Sequence, residues 1–297
     1  MRKELCTALV QLSSDTNMVF LTGDLGFMAL EPLQTAMGQR FINAGVAEQN
    51  MISVAAAFAR DQWNVWCYSI ASFCVMRPLE MIRNDICLHH LPVKLIGKGV
   101  MGPTHHAVDD YGILLTLPRM HVYIPAFDED VPDVIATANQ HTGPAYIRLG
   151  RGELPNGESA PAYAPWRQLL HGDNGLIVTT GPIAGMVWQS CRSLPPAHGP
   201  DVWLVSELPL HAHPIPDALW QRATRGQAVV VVEEHVSHGG LAHMLAYAAA
   251  IRGMLIPNFH ALHAPGLDIG VYGSQAFLRG QSSLTAAEIL QHFGIST

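Results

Sequence analysis

The sequence predicts an α/β protein of two doubly wound, mostly parallel sheet domains. Three observations carry this reading. Short apolar runs alternate with helical patterns up to about residue 150, a stretch rich in Gly and Pro from Gly150 to Trp166 breaks the rhythm, and the same alternation then restarts. The expected domains are 1–150 and 169–297, joined by a linker over 151–168, a division that fits a chain of 297 residues.

The elements follow in order. Met18–Thr22 is an apolar run closed by Gly23-Asp24, which reads as a strand ending in a turn. Ala47–Arg60 carries Met51, Val54, Ala55, Phe58 and Ala59 at helical spacing, one buried stripe. Trp63–Tyr68 and Pro92–Ile96 read as buried strands, with a helix between them over Pro78–Leu88 that places Leu79, Ile82 and Ile86 on one face. His121–Ile124 and Ala145–Leu149 are further strands flanking a helix at Asp128–His141. After the linker, strands are expected at Gly175–Thr180, Val202–Ser206 and Ala228–Glu233, with helices from Ile183, near Pro216–Ala223 and from Gly239-Gly240 to Ile251.

Composition narrows the function. The chain is 49 % hydrophobic and 14 % charged, with 24 acidic against 17 basic side chains and a net charge of −7, so neither nucleic acid nor an anionic membrane is an expected partner. Its apolar runs, such as Ala228–Val232, fall well short of the roughly 20 residues of a membrane span. Acidic Glu4 lies where a secretion signal would turn apolar, and a cytoplasmic chain is expected. Five cysteines without a C-x-x-C pair read as reduced core residues. The pairs His211/His213 and His235/His238 lack the spacing and companions of a metal motif, and no metal ligand is expected. P-loop, dinucleotide-binding and nucleophile-elbow patterns are also missing; Gly97-Lys98-Gly99 lacks the spacing of a phosphate loop.

What stands out is polar or aromatic residues where strands end: Asp24, Glu48 at a helix start, Phe73, His105-His106, Arg148 and Arg151. In an open parallel sheet that edge binds ligands. Each also fits a plain structural role, since a helix start favours glutamate whatever its task, an aromatic packs in a core, and arginines form surface ion pairs.

Five segments appear together and in order: Phe41-Ile42-Asn43-Ala44-Gly45-Val46-Ala47-Glu48-Gln49-Asn50-Met51; Tyr68-Ser69-Ile70-Ala71-Ser72-Phe73; Ile82-Arg83-Asn84-Asp85; Gly102-Pro103-Thr104-His105-His106; and Val231-Val232-Glu233-Glu234-His235 before Gly239-Gly240. Over residues 18–290 the chain resembles the carboxyl-terminal half of transketolase, a layout shared with 1-deoxyxylulose-5-phosphate synthase and split transketolase-like proteins. The resemblance implies a pyrimidine-binding domain followed by the transketolase carboxyl-terminal domain, with thiamine diphosphate as cofactor. That cofactor supplies a carbanion and an electron sink, tuned by protein groups.

The resemblance also implies residue roles. Glu48 matches the glutamate that hydrogen-bonds the aminopyrimidine nitrogen and is the leading catalytic residue. Phe73 matches the aromatic that stacks on that ring, and Ser69, Ile70 and Ala71 line the same pocket. His105 matches a catalytic, substrate-facing histidine, a residue type that accepts and donates protons near neutral pH, with His106 beside it. Arg151 matches an arginine that grips the distal phosphate of a sugar phosphate, and Arg77 is placed to assist. The implied reaction moves a two-carbon ketol unit from a ketose, expected to be phosphorylated, to an aldehyde acceptor.

Two departures qualify the match. Val100-Met101 stands where transketolase has an acidic pair, and the loop before Gly102 is compressed; an apolar Met101 implies a deoxygenated or bulkier substrate. Transketolase also binds the diphosphate and Mg²⁺ through an amino-terminal domain with a Gly-Asp-Gly motif, and Gly23-Asp24-Leu25-Gly26 is not that motif. The resemblance thus implies a separate amino-terminal subunit holding Mg²⁺ and the diphosphate, in an α2β2 heterotetramer in which this chain also pairs with itself. From about Leu169 the chain is expected to serve assembly, with Glu233-Glu234-His235 structural. Two other readings are the beta subunit of a 2-oxo acid dehydrogenase and a non-catalytic scaffold subunit.

Overall fold

The computed structural model describes residues 1–99, 101, 105–266 and 270–295; Val100 and, from the Gly102–His106 segment, Gly102-Pro103-Thr104 lie outside the described residues. Twelve strands among these form two sheets. The first sheet uses β1 (Met18–Thr22), β2 (Phe41–Asn43), β3 (Asn64–Ile70), β4 (Val93–Lys98), β5 (His121–Tyr123) and β6 (Ala145–Leu149). The second uses β7 (Trp166–Leu170), β8 (Leu176–Thr180) and β9 (Asp201–Val205), then β11 (Val229–Glu233) and β12 (Phe259–Leu262); β10 (Glu207–Leu208), between β9 and β11 in the chain, crosses back to the first sheet. The strand orders are β10-β5-β6-β4-β3-β1-β2 and β12-β11-β8-β9-β7. Every pairing is parallel except β10 with β5 and β7 with β9.

The strands are apolar on both faces because both faces are covered. Along β3, Val65 and Cys67 enter one core while Trp66 and Tyr68 enter the opposite one, the period-two alternation of a strand buried on both sides. On β11, Val229 and Val231 join the first of these cores, and Val230 and Val232 a third, so one apolar cluster is shared by the two sheets. Helix Glu48–Arg60 covers that shared side with Met51, Ile52, Ala55 and Ala59, as its spacing predicts.

Several elements differ from the sequence reading. The segment expected as a helix over Pro78–Leu88 is α-helical only at Leu79–Met81 and continues as a π-helix over Ile82–Cys87. β7 begins at Trp166, within the stretch read as linker, where Arg167 and Leu169 are buried. Arg2–Leu12 is a helix whose Leu5 and Leu9, one turn apart, are fully buried. No described helix is long and apolar enough to cross a membrane.

A buried ion pair and a buried hydrogen bond cross between the halves. Arg167 of β7 forks onto Asp130 with N–O distances of 2.6 and 2.8 Å, while Asp130 also accepts the backbone N–H groups of Ala126 and Phe127. Arg148 of β6 pairs with Asp110 through Nε at 3.0 Å and donates from Nη2 to the Glu234 carbonyl at 2.7 Å. All four of these side chains are buried.

Candidate active site

The strand carboxyl ends of the first sheet carry the site. Glu48 is the first residue of its helix, and its carboxylate is 2 % exposed, so a charge favoured by the helix start is held away from water. Arg77 satisfies it, donating from Nη1 to the two carboxylate oxygens at 3.2 and 3.0 Å. The same guanidinium lies 3.8 Å from the centroid of the Phe73 ring. Arg77 is therefore engaged with Glu48 and Phe73 and is not among the residues lining the cleft that holds Arg151.

Around this carboxylate the other residues converge. A Cβ added to Gly23, just beyond β1, would sit 3.4 Å from both Glu48 Oε1 and Ser69 Oγ, so these two groups face the same turn. Ser69 Oγ is buried with no hydrogen-bond partner among the described residues. Such a group normally finds a partner, and here one must come from outside the described chain. Ile70 ends β3 in an extended conformation and caps the short helix Ala71–Val75, with Ala71 packed on Ala107. This turn swings Phe73 out beside His105, ring centroids 4.8 Å apart and edge to face. His105 adopts φ 55°, and its carbonyl accepts from Ser72 Oγ at 3.2 Å. Glu48, Ser69, Ile70, Ala71, Phe73, Arg77 and His105 thus come together.

His106 does not join them. Its ring lies against Tyr272, Nε2 is buried without a partner among the described residues, and it lines a separate cavity of about 70 Å³ with Met101, Val108, Val271 and Leu278. Met101 also lines a larger cleft, about 400 Å³, with Lys98, Arg148, Arg151, Glu234 and Gln275. Arg151 is exposed there, as its expected anion-binding role requires. Arg148, a strand-end candidate, is instead a buried structural cation on Asp110.

The cleft carries cations that motif reading missed. Lys98 ends β4 opposite Ile70 of β3, so the cleft starts one strand from the Glu48 cluster. Burial first, then the neighbouring Arg2 and Arg151 cations, push its amine down to about 8. Arg279 lines the adjoining pocket beside Arg151, with Nε on Glu234 at 2.7 Å and Nη2 buried without a partner among the described residues. The position of Lys98 at a strand carboxyl end was the available signal.

Within Glu233-Glu234-His235, Glu234 lines the cleft while Glu233 and His235 are fixed in buried networks. Glu233 accepts from the Tyr111 hydroxyl and from the N–H groups of Leu241 and Ala242, and His235 stacks on Tyr111 at 3.8 Å while accepting from Gly112 N. A Cβ on Gly240 would lie 2.7 Å from both Glu233 oxygens, which explains the glycine at that turn.

Comparison with known proteins adds to this geometry. A family model described as the transketolase pyrimidine binding domain matches residues 3–156. The chain is 30 % identical over 271 residues to the putative transketolase C-terminal section of Methanocaldococcus jannaschii, covering 86 % of this chain and 83 % of that protein. It is 24 % identical over 285 residues to one of the subunits of the apulose-4-phosphate transketolase of Phocaeicola vulgatus, covering 90 % and 91 %. Against 1-deoxy-D-xylulose-5-phosphate synthase 2 of Geobacter sulfurreducens it is 28 % identical, and the match spans only 41 % of that relative's length. A solved structure described as a split gene transketolase in an inactive beta4 tetramer is 28 % identical with a TM-score of 0.83, over 99 % of this chain and 96 % of that one.

Proposed function

Because the chain belongs to the transketolase family, we propose that it is the pyrimidine-side subunit of a split, thiamine diphosphate-dependent transketolase that transfers a two-carbon ketol unit from a ketose phosphate to an aldehyde. The observation that carries this is a buried glutamate at a helix start, linked through Arg77 to an aromatic ring and near a buried hydroxyl that has no partner among the described residues. These groups fit an aminopyrimidine: a carboxylate to accept from it, a ring face to stack on it and a hydroxyl to bond it. When bound, thiamine diphosphate supplies the nucleophilic carbon and the electron sink.

The chain's own residues would do the rest. Glu48, kept from water, would accept a hydrogen bond from a ring in the binding space once Arg77 moves off its oxygens. Phe73 fixes the plane of that space, and His105 at its edge is placed to take or return a proton on a substrate oxygen. Lys98 and Arg151 line a cleft suited to a substrate phosphate. Likeness to one protein named as a transketolase subunit and to another named as a C-terminal section supports a second subunit holding Mg²⁺ and the diphosphate, in an α2β2 assembly.

The test is to titrate thiamine diphosphate with Mg²⁺ into this chain alone and with its partner subunit, then to assay ketol transfer from ketose phosphates. Cofactor binding by the mixture only, with turnover lowered roughly 10³-fold by Glu48→Ala while assembly is kept, is expected. Tight binding by this chain alone would remove the shared site, and full activity of Glu48→Ala would remove the catalytic assignment.

A further inference from the structure

Outside the Glu48 cluster, a compact set of metal-ligating side chains lies where β10 joins the edge of the first sheet. His121 opens β5, Glu207 opens β10, and His213 follows the single helical turn Leu210–Ala212. Glu207 Oε2 lies 2.9 Å from His121 Nε2 and 2.8 Å from His213 Nε2, and the ligand atoms of all three residues fall within 4.8 Å of one another. We propose that this two-histidine, one-glutamate set binds a divalent transition metal ion, Zn²⁺ foremost, as a clamp between the two halves of the chain.

The donor chemistry favours that class of ion. Two imidazoles and one carboxylate suit Zn²⁺, whereas Mg²⁺ and Ca²⁺ prefer oxygen donors throughout. Tetrahedral ligands at ordinary zinc distances are about 3.3 Å apart, so seating the ion opens the two Glu207 contacts by roughly half an ångström and brings the two imidazoles, whose ligand atoms lie within 4.8 Å of one another, to the same spacing. Its fourth position would take water, entering past His213, whose side chain is 35 % exposed while Glu207 is 4 % exposed.

The surroundings hold the ligands in place. The Tyr163 hydroxyl donates to Glu207 Oε1 at 3.0 Å, which leaves Oε2 facing the imidazoles, as outer partners do in zinc sites. His141 packs on His121 with ring centroids 5.0 Å apart, and its Nε2 is buried without a partner among the described residues. His121 comes from the first sheet, Glu207 and His213 from the second half of the chain, so one ion would join both. Motif reading could not find this set because His121 and Glu207 are 86 positions apart.

The test uses the full chain, treated with chelator, dialysed and titrated with Zn²⁺ alone, then loaded with Co²⁺ for its absorption spectrum. Wild type is expected to bind one Zn²⁺ per chain. His213→Asn and Glu207→Gln should weaken binding by roughly 100-fold or more, since even outer-sphere changes cost 10- to 100-fold. The Co²⁺ spectrum should show nitrogen and oxygen ligation without the near-ultraviolet thiolate band that the five cysteines would give. His213→Asn alters a part-exposed side chain and keeps the metal-free melting temperature, so it decides the matter even if Glu207→Gln fails to fold. Equal Zn²⁺ binding by wild type and His213→Asn, a thiolate band, or no binding above surface-histidine background would overturn the proposal and leave a plain ion pair.

Discussion

Arg77 holds both oxygens of Glu48 and covers a face of Phe73, the two surfaces that the proposed aminopyrimidine needs. It must therefore swing away when the cofactor binds. A half-exposed ion pair is worth at most about 1 kcal/mol and the ring contact about as much again, so Arg77→Met should tighten thiamine diphosphate binding by roughly ten-fold in the assembled enzyme, measured by calorimetry. Weaker binding would assign Arg77 to the cofactor instead. His235 gives a second prediction. Burial pushes its imidazole down to about 4 from an ordinary 6.5. Between those values the unfolded chain binds a proton that the folded chain refuses, so stability is full above about pH 6.5 and falls by up to about 3 kcal/mol toward pH 4. Urea titrations of His235→Gln across this range should show a flatter profile than wild type. At this scale the sequence was informative where residues belong to contiguous motifs, as with Glu48 and Phe73. It was silent on Arg77 meeting Glu48, 29 positions away, because such pairing is made by the fold.

Elements were legible where one apolar pattern filled them. β1 and β6 match their runs residue for residue, and helix Glu48–Arg60 begins one residue inside its expected start. Edge elements were not: β2 spans three residues, β10 two, and both owe their form to a neighbour strand more than to their own composition. β7 hid among linker prolines because only alternate residues face a core. The turn from β11 into helix Leu241–Ile251 offers a sharp check. Gly240→Ala drives a methyl to 2.7 Å from the Glu233 carboxylate, which is itself fixed by Tyr111 and two backbone N–H groups. A loss of about 1–3 kcal/mol in chemical denaturation is expected, and a neutral result would mean that the turn yields.

At the scale of the molecule, the two sheets are locked by a shared apolar core, by β10 and by the Arg167–Asp130 and Arg148–Glu234 contacts. Calorimetry should accordingly show one unfolding transition, whereas two separated transitions would mean that the halves are independent. Arg167→Met leaves buried Asp130 without its cation and should cost about 3 kcal/mol. The interlocking of the two sheets was not readable in the sequence, since every contact that creates it joins residues on opposite sides of the stretch read as a linker. β10 carries one more consequence. Only two residues long, it covers the outer rim of β5, which in a truncated 1–150 fragment would stand bare. Unpaired strand rims template the same rim on another copy. Such a fragment should precipitate as its concentration rises, because it lacks the two-residue cover that β10 supplies.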